Sequence, residues 1–147
     1  GRAGRNSNQG KVVIQTYNPD NISLICAQDH DYEKFFTYER TQRKILNNPP
    51  FGQIAKIIVQ NKSLQKCKTE TEKIFQILKD GTQDQNDTFE INSYPAFFSK
   101  LRGNYRYIIL MKDKKNSNCL QNLIAKLPKE YIIDPNIKID INPLTTT

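Results

Sequence analysis

The stretch FGQIAKIIVQNKSLQKCKTETEKIFQILKDG, Phe51 to Gly81, decides the fold. Its first part, Phe51 to Gln60, holds the apolar run IAKIIV and reads as a strand. Ser63 then offers a side-chain oxygen to the open N–H groups at the start of a helix. Leu64, Cys67, Thr71, Ile74, Phe75 and Leu78 recur at three- and four-residue steps, which places them along one helical face. Gly81, after Asp80, is expected to be the C′ glycine that closes the helix.

Downstream, Thr82 to Asp87 (TQDQND) is a polar loop and Phe89 to Ser93 begins a second strand. Tyr94 to Gly103 reads as an irregular stretch leading into a hairpin turn. Tyr105, Tyr107, Ile109 and Met111 then alternate with Arg106, Ile108 and Leu110, the two-residue period of a strand. Lys112 to Asn118 is a loop. Ser117 is placed to cap a helix carrying Leu120, Leu123, Ile124 and Leu127, which Pro128 stops. Ile137, Ile139 and Ile141 alternate with polar residues in a last strand. The order is strand, helix, strand, strand, helix, strand, the ferredoxin-like βαββαβ pattern of an α+β domain. Both helices are expected on one face of an antiparallel sheet, with the other face left free.

Upstream, Pro49-Pro50 disfavours helix before it and sets the expected boundary between a part spanning residues 1–48 and a domain spanning 49–147. Lys11 to Tyr17 (KVVIQTY) contains the continuous run Val12-Val13-Ile14, which suits a strand buried on both faces of a parallel sheet. Asn18 to Asn21 is a turn with Asp20 or Asn21 as N-cap. Ile22 to about Asn47 reads as one long or broken helix. One strand and one helix cannot make a domain alone, so this part is expected to pack on something else. The chain opens on Gly1 in GRAGR, which reads either as a deliberate cut at this point or as a piece of something longer.

The 147 residues hold 22 Lys and Arg against 15 acidic residues, a net charge of +7. Such a balance favours polyanions: DNA, RNA or acidic protein tails. Part of the Lys excess fits the Ile-, Lys- and Asn-rich bias of an AT-rich genome. Cys26, Cys67 and Cys119 form no CxxC pair, which argues for a reducing compartment and against a disulfide framework. The only histidine, His30, has no Cys at ligand spacing, so no metal site is expected. With no nucleophile nearby, His30 is read as structural rather than catalytic. No apolar run approaches a membrane span.

Three basic constellations stand out. Arg2 and Arg5 in GRAGR are separated by small residues and can approach a phosphate chain as arginine fingers do. Lys100, Arg102, Tyr105, Arg106 and Tyr107 combine cations that clamp phosphates with rings that stack bases, although the tyrosines share a face with Ile109 and can equally belong to the core. Lys112, Lys114 and Lys115 form a basic spot at the start of a helix, suited to an acidic protein tail or phosphates.

GRAGR followed by KVVIQTYNP resembles the last helicase motif of superfamily 2 and its following strand in the primosomal protein N′ (PriA) family of replication-restart DNA helicases. DYEKFFTYERTQRKILNNPPFGQIAKI resembles that family's linker into its C-terminal domain, at Tyr32, Phe35, Glu39, Arg43, Pro49, Pro50 and Phe51. YPAFFSKLRGNYRYIILMK resembles a further family stretch at Pro95, Ala96, Arg102, Gly103, Tyr105 and Arg106, and IKIDINP resembles its closing strand. The matches fall in family order over nearly the whole chain.

The resemblance implies a parent that is an ATP-driven 3′-to-5′ DNA helicase acting at stalled forks, using ATP and magnesium, carrying zinc, and working in the cytoplasm. It implies a C-terminal domain folded like a small ribosomal-subunit protein, which binds branched or single-stranded DNA and helps dock the single-stranded-DNA-binding protein and other primosome proteins. It further implies that residues 1–48 are the end of a RecA-like helicase lobe, with Arg2 and Arg5 as the motif arginines facing ATP. The chain departs from the whole-family pattern in lacking a Gly-x-x-x-x-Gly-Lys-Ser/Thr loop, a magnesium-holding Asp-Glu pair and the zinc-binding cysteine clusters. Asn104 and Asn142 stand where the family carries basic and acidic residues. Alone, the chain is therefore expected to bind DNA and partners but not to hydrolyse ATP. The alternatives are a stand-alone RNA-binding or ribosome-associated βαββαβ module and a small-molecule regulatory domain.

Overall fold

The computed structural model describes residues 11–82, 88–115 and 119–146. The chain divides into two compact units, Gly1–Arg40 and Thr41–Thr147.

In the first unit, α1 (Ile22–Gln28) is capped by Asn21, whose side chain accepts from the Ser23 N–H at 2.9 Å. His30 takes a left-handed conformation (φ 55°), and the Asp31 N–H returns to the Cys26 carbonyl at 2.8 Å. This is a Schellman-type stop. Asp31 then accepts from the Lys34 N–H at 2.9 Å and opens α2 (Tyr32–Ile45), whose residues from Thr41 on belong to the second unit. The expected helix is thus broken at His30, which is exposed. The strand expected over Lys11 to Tyr17 does not form. Val12 and Val13 are 75% and 90% exposed, and residues 11–17 form no strand. A strand buried on both faces needs neighbours on both edges, and apolar character alone does not supply a ladder.

The second unit holds a four-stranded sheet in the order β2-β3-β1-β4, formed by β1 (Gln53–Asn61), β2 (Phe89–Leu101), β3 (Asn104–Asp113) and β4 (Ile137–Ile141), with every neighbouring pair antiparallel. Three helices accompany it: α3 (Leu64–Asp80), α4 (Cys119–Ala125) and α5 (Lys129–Ile133). The class is α+β, as the element order predicted.

Alternation along the strands sends Ala55, Ile57 and Val59 of β1 and Ile109 and Met111 of β3 to one face. There they pack with Cys67, Ile74 and Leu78 of α3 and Leu120, Leu123 and Ile124 of α4. Ser63 caps α3 as expected, accepting from the Lys66 N–H, but Leu64 lies 40% exposed outside the buried stripe. Gly81 is not left-handed (φ −69°). Its lack of a Cβ instead makes room for Leu123, whose Cδ1 would lie 2.6 Å from an added Cβ. The expected Ser117 cap lies outside the described residues. Beyond Leu127 the chain makes α5, which the sequence reading missed: Pro128 both ends one helix and precedes the next, since its fixed φ suits a helix start.

The other sheet face is not free. Asn142 adopts a left-handed conformation (φ 54°), its N–H donating to the Ile54 carbonyl at 2.7 Å and its Oδ1 accepting from the Ile54 N–H at 3.1 Å. The chain then turns across the sheet. The Thr145 carbonyl accepts from Lys56 Nζ at 2.6 Å and the Thr146 carbonyl from the Tyr94 hydroxyl at 3.3 Å. Lys56 is 6% exposed and Ile108, between these two contacts on the same face, is fully buried.

Candidate nucleic-acid interface

The β2–β3 hairpin carries the five residues read as DNA-binding. Leu101 pairs with Asn104, leaving Arg102 (φ 48°) and Gly103 (φ 82°) as a two-residue turn. Positive φ at both central positions is the type I′ geometry, whose twist matches that of the flanking strands. Nothing lies within 4 Å of an added Cβ at Gly103, so glycine serves the backbone angle there and not space. Arg102 occupies a left-handed position that asparagine or glycine fills more readily, and its side chain stands exposed at the tip.

The structure separates the five residues. Lys100 faces Tyr105 across the ladder, with Nζ 5.0 Å from the ring centroid, a cation–π contact. Tyr105 and Tyr107 are half-buried against the core on the helix side of the sheet. Arg106, between them, points to the opposite face across from Gln60. The hairpin tip therefore presents Lys100 and Arg102 together, while the tyrosines serve largely as wall. Beneath them, the Cys67 thiol donates to the Val59 carbonyl at 3.4 Å and the Tyr105 carbonyl at 3.5 Å, and burial pushes its pKa up. This thiol stays protonated and structural. An open groove of about 940 Å³ runs between α3 and this part of the sheet, with Lys68, Lys73, Ile91 and Tyr107 among its walls.

The stretch before the turn is irregular only in part. β2 runs on through Leu101 as an edge strand, interrupted by a register shift between Pro95 and Lys100. On that interruption Phe97 and Phe98 are 81% and 66% exposed, their rings 5.0 Å apart and nearly perpendicular. The sequence reading passed over both. The available signal was two adjacent phenylalanines between a proline and a run of cations, where strand alternation would have buried one of them.

The three lysines at the far end of β3 do not form one free spot. Lys112 lies in the strand and donates to Asn48 Oδ1 at 2.8 Å. Lys114 pairs with Glu90 at 2.7 Å, which holds the Glu90 carboxyl below its usual range, chiefly through this hydrogen bond. Lys115 is exposed and its N–H donates to Asp113 Oδ1 at 2.9 Å. Arg2 and Arg5 lie outside the described residues. Among the described residues no group of His, Cys, Asp and Glu is placed to hold a metal, and no helix is long and apolar enough to cross a membrane.

No protein-family model matches the chain. Its whole length nevertheless aligns with curated proteins. It is 31% identical over 97% of its residues to Replication restart protein PriA of Bacillus subtilis, where the match covers 18% of that protein. It is 36% identical over 99% of its residues to the protein of the same name from Rickettsia typhi, covering 22% of it, and 30% identical over 97% to that of Borreliella burgdorferi, covering 21%. The chain is similar to PriA proteins along nearly all of its length, as a fragment of them. It spans about a fifth of the length of these relatives. The similarity to PriA covers both units.

Proposed function

We propose that the chain is the C-terminal part of an ATP-dependent 3′-to-5′ DNA helicase for replication restart at stalled forks. In this reading it grips branched or single-stranded DNA and engages the single-stranded-DNA-binding protein and other primosome proteins, without hydrolysing ATP itself. The observation that carries the proposal is the PriA similarity along 97 to 99% of the chain, joined to a hairpin whose exposed tip presents Lys100 and Arg102.

The finer fold follows the same line. A β2-β3-β1-β4 order with antiparallel neighbours and helices on one face supports a ferredoxin-like domain over 49–147. Residues 1–48 are then the end of a RecA-like lobe, and the bare apolar run Val12-Val13-Ile14 finds its sheet in the rest of that lobe. Arg2 and Arg5 would stabilise charge on ATP only beside the phosphate loop and magnesium site of the full enzyme. Zinc belongs to other parts of the parent. Work on chromosomal forks places the protein in the cytoplasm. Lys115, with Lys112 and Lys114 behind it, offers cations to an acidic partner tail.

The test is a fluorescence titration of the chain with fork DNA, single-stranded DNA, an RNA hairpin and an acidic C-terminal peptide, each at two salt concentrations. Fork binding that weakens steeply with salt, together with peptide binding and no ATP turnover, is the expected result. The double variant Arg102→Ala with Arg106→Ala should weaken fork binding and flatten its salt slope. Preference for the RNA hairpin, binding to none of the probes, or ATP hydrolysis by the chain alone would each overturn the reading.

A further inference from the structure

Between Pro95 and Lys100 the edge strand leaves its partner. Pro95 pairs with Tyr107 and Lys100 with Tyr105, so Ala96, Phe97, Phe98 and Ser99 together oppose Arg106 alone. This extended bulge is held at its base by Ala96, 5% exposed, and it carries Phe97 and Phe98 outward as an edge-to-face pair. Two adjacent phenyl rings turned to water on an arch of this kind need an occupant, and the surroundings say which.

A β-strand from another chain is a poor one. Pro95 has no N–H to donate, and the bulge breaks the ladder that an added strand would extend. The charge beside the arch is positive: Lys100 and Arg102 follow within four residues, and the strand's acid, Glu90, lies at the other end, tied to Lys114. The fitting partner is flat, apolar on its faces and joined to anions, as an unpaired nucleobase is. We infer that the Phe97–Phe98 arch is a stacking platform for an unpaired DNA base at a branch point, with Lys100 and Arg102 on the phosphates next to it. This rests on the branched-DNA reading above and adds to it the part of the DNA that is recognised. The two rings are nearly perpendicular, so one face can receive the base while the other ring braces its neighbour's edge.

The experiment uses the whole chain and a fork carrying 5-iododeoxyuridine, either at the unpaired junction position or paired within an arm. Irradiation should cross-link the junction base, and not the arm base, to the peptide containing Phe97 and Phe98. The variant Phe97→Leu with Phe98→Leu keeps apolar bulk at exposed positions, so it should fold as the parent does, which circular dichroism checks. It should lose the cross-link and bind the fork about ten-fold more weakly, about 1.4 kcal/mol, with the salt slope unchanged. Its affinity for fully paired duplex should be unchanged. Salt-sensitive fork binding with no junction cross-link, or equal fork affinity in the variant, overturns the arch while leaving the DNA reading intact. Absence of salt-sensitive fork binding by the parent sinks both. If the parent self-associates in sedimentation and the variant does not, while both bind the fork equally, the arch is a protein contact and the inference fails.

Discussion

Arg102→Asn should make the protein more stable and its grip on DNA weaker. Arg102 sits at φ 48°, followed by Gly103 at φ 82°, so it fills the first central position of a type I′ turn. A side chain other than Asn or Gly in that region costs about 1–2 kcal/mol, and Asn-Gly is the favoured pair for this turn. Asparagine relieves part of that cost, and a net gain of about 0.5–1 kcal/mol follows, since Arg102 is exposed and gives up no packing. For a chain of this size that raises Tm by roughly 2–3 °C. The same change removes one phosphate-binding cation. The slope of log K against log salt should flatten by about 0.9, and fork affinity near 0.1 M salt should fall several-fold. Thermal unfolding followed by circular dichroism and anisotropy with labelled fork DNA read the two effects on one sample. Opposite signs are what separate a strained functional residue from an ordinary turn residue. A lower Tm would refute the turn geometry, and undiminished fork affinity would remove Arg102 from the interface.

Gly52→Ala should destabilise the domain by about 3 kcal/mol, because an added Cβ would lie 2.3 Å from the Asn47 carbonyl oxygen and 2.7 Å from that of Asp113, and both are backbone atoms that cannot swing away. Urea unfolding should show the midpoint falling with an unchanged m value, and a loss under 1 kcal/mol would count against this packing. The Glu90–Lys114 pair contributes at most about 0.5 kcal/mol, since both side chains are substantially exposed. With the Glu90 pKa lowered on folding, that contribution is present above the unfolded carboxylate range near pH 4.3 and is lost as pH falls through the folded value. Glu90→Gln should therefore lower stability slightly at pH 7 and by less at pH 3. It should also raise affinity for an acidic peptide by releasing Lys114, and an equal stability loss at both pH values would contradict the pairing.

The elements legible in the sequence are those whose periodicity is enforced inside the domain. The three- and four-residue steps of Cys67, Thr71, Ile74 and Leu78 and the alternation of Ile109 and Met111 exist because one face of each element meets the other, and burial of these residues returns that pattern. Where the described residues supply no neighbours, the pattern misleads. Val12-Val13-Ile14 has the composition of a central strand, but composition cannot provide its neighbours. The end of the first sheet edge was misread for a different reason. Tyr94 to Gly103 reads as an irregular stretch, yet an edge strand tolerates proline because only one side needs donors, and β2 continues past Pro95. That misreading also hid Phe97 and Phe98, which matter because the strand resumes beyond them and holds both feet of the arch.

The covered sheet face shows a limit of another kind, and it bears on where nucleic acid can bind. Lys56 and Tyr94 are held by the carbonyls of Thr145 and Thr146, groups that every residue type possesses, so no choice of side chain announces the contact. Its effect is specific all the same. Four-stranded-sheet RNA binders stack bases on an open sheet surface. Here that surface has a fully buried Ile108 and a backbone strap over Lys56, and on the opposite surface α3 and α4 cover the core. With the middle of both faces occupied, the proposed contact with bases falls to the margin of the sheet. The exposed rings, the strained arginine and the lysine poised over Tyr105 are gathered there along one edge and its turn. A margin addresses a discontinuity in a nucleic acid more readily than a long uniform strand, and a branch point is such a discontinuity.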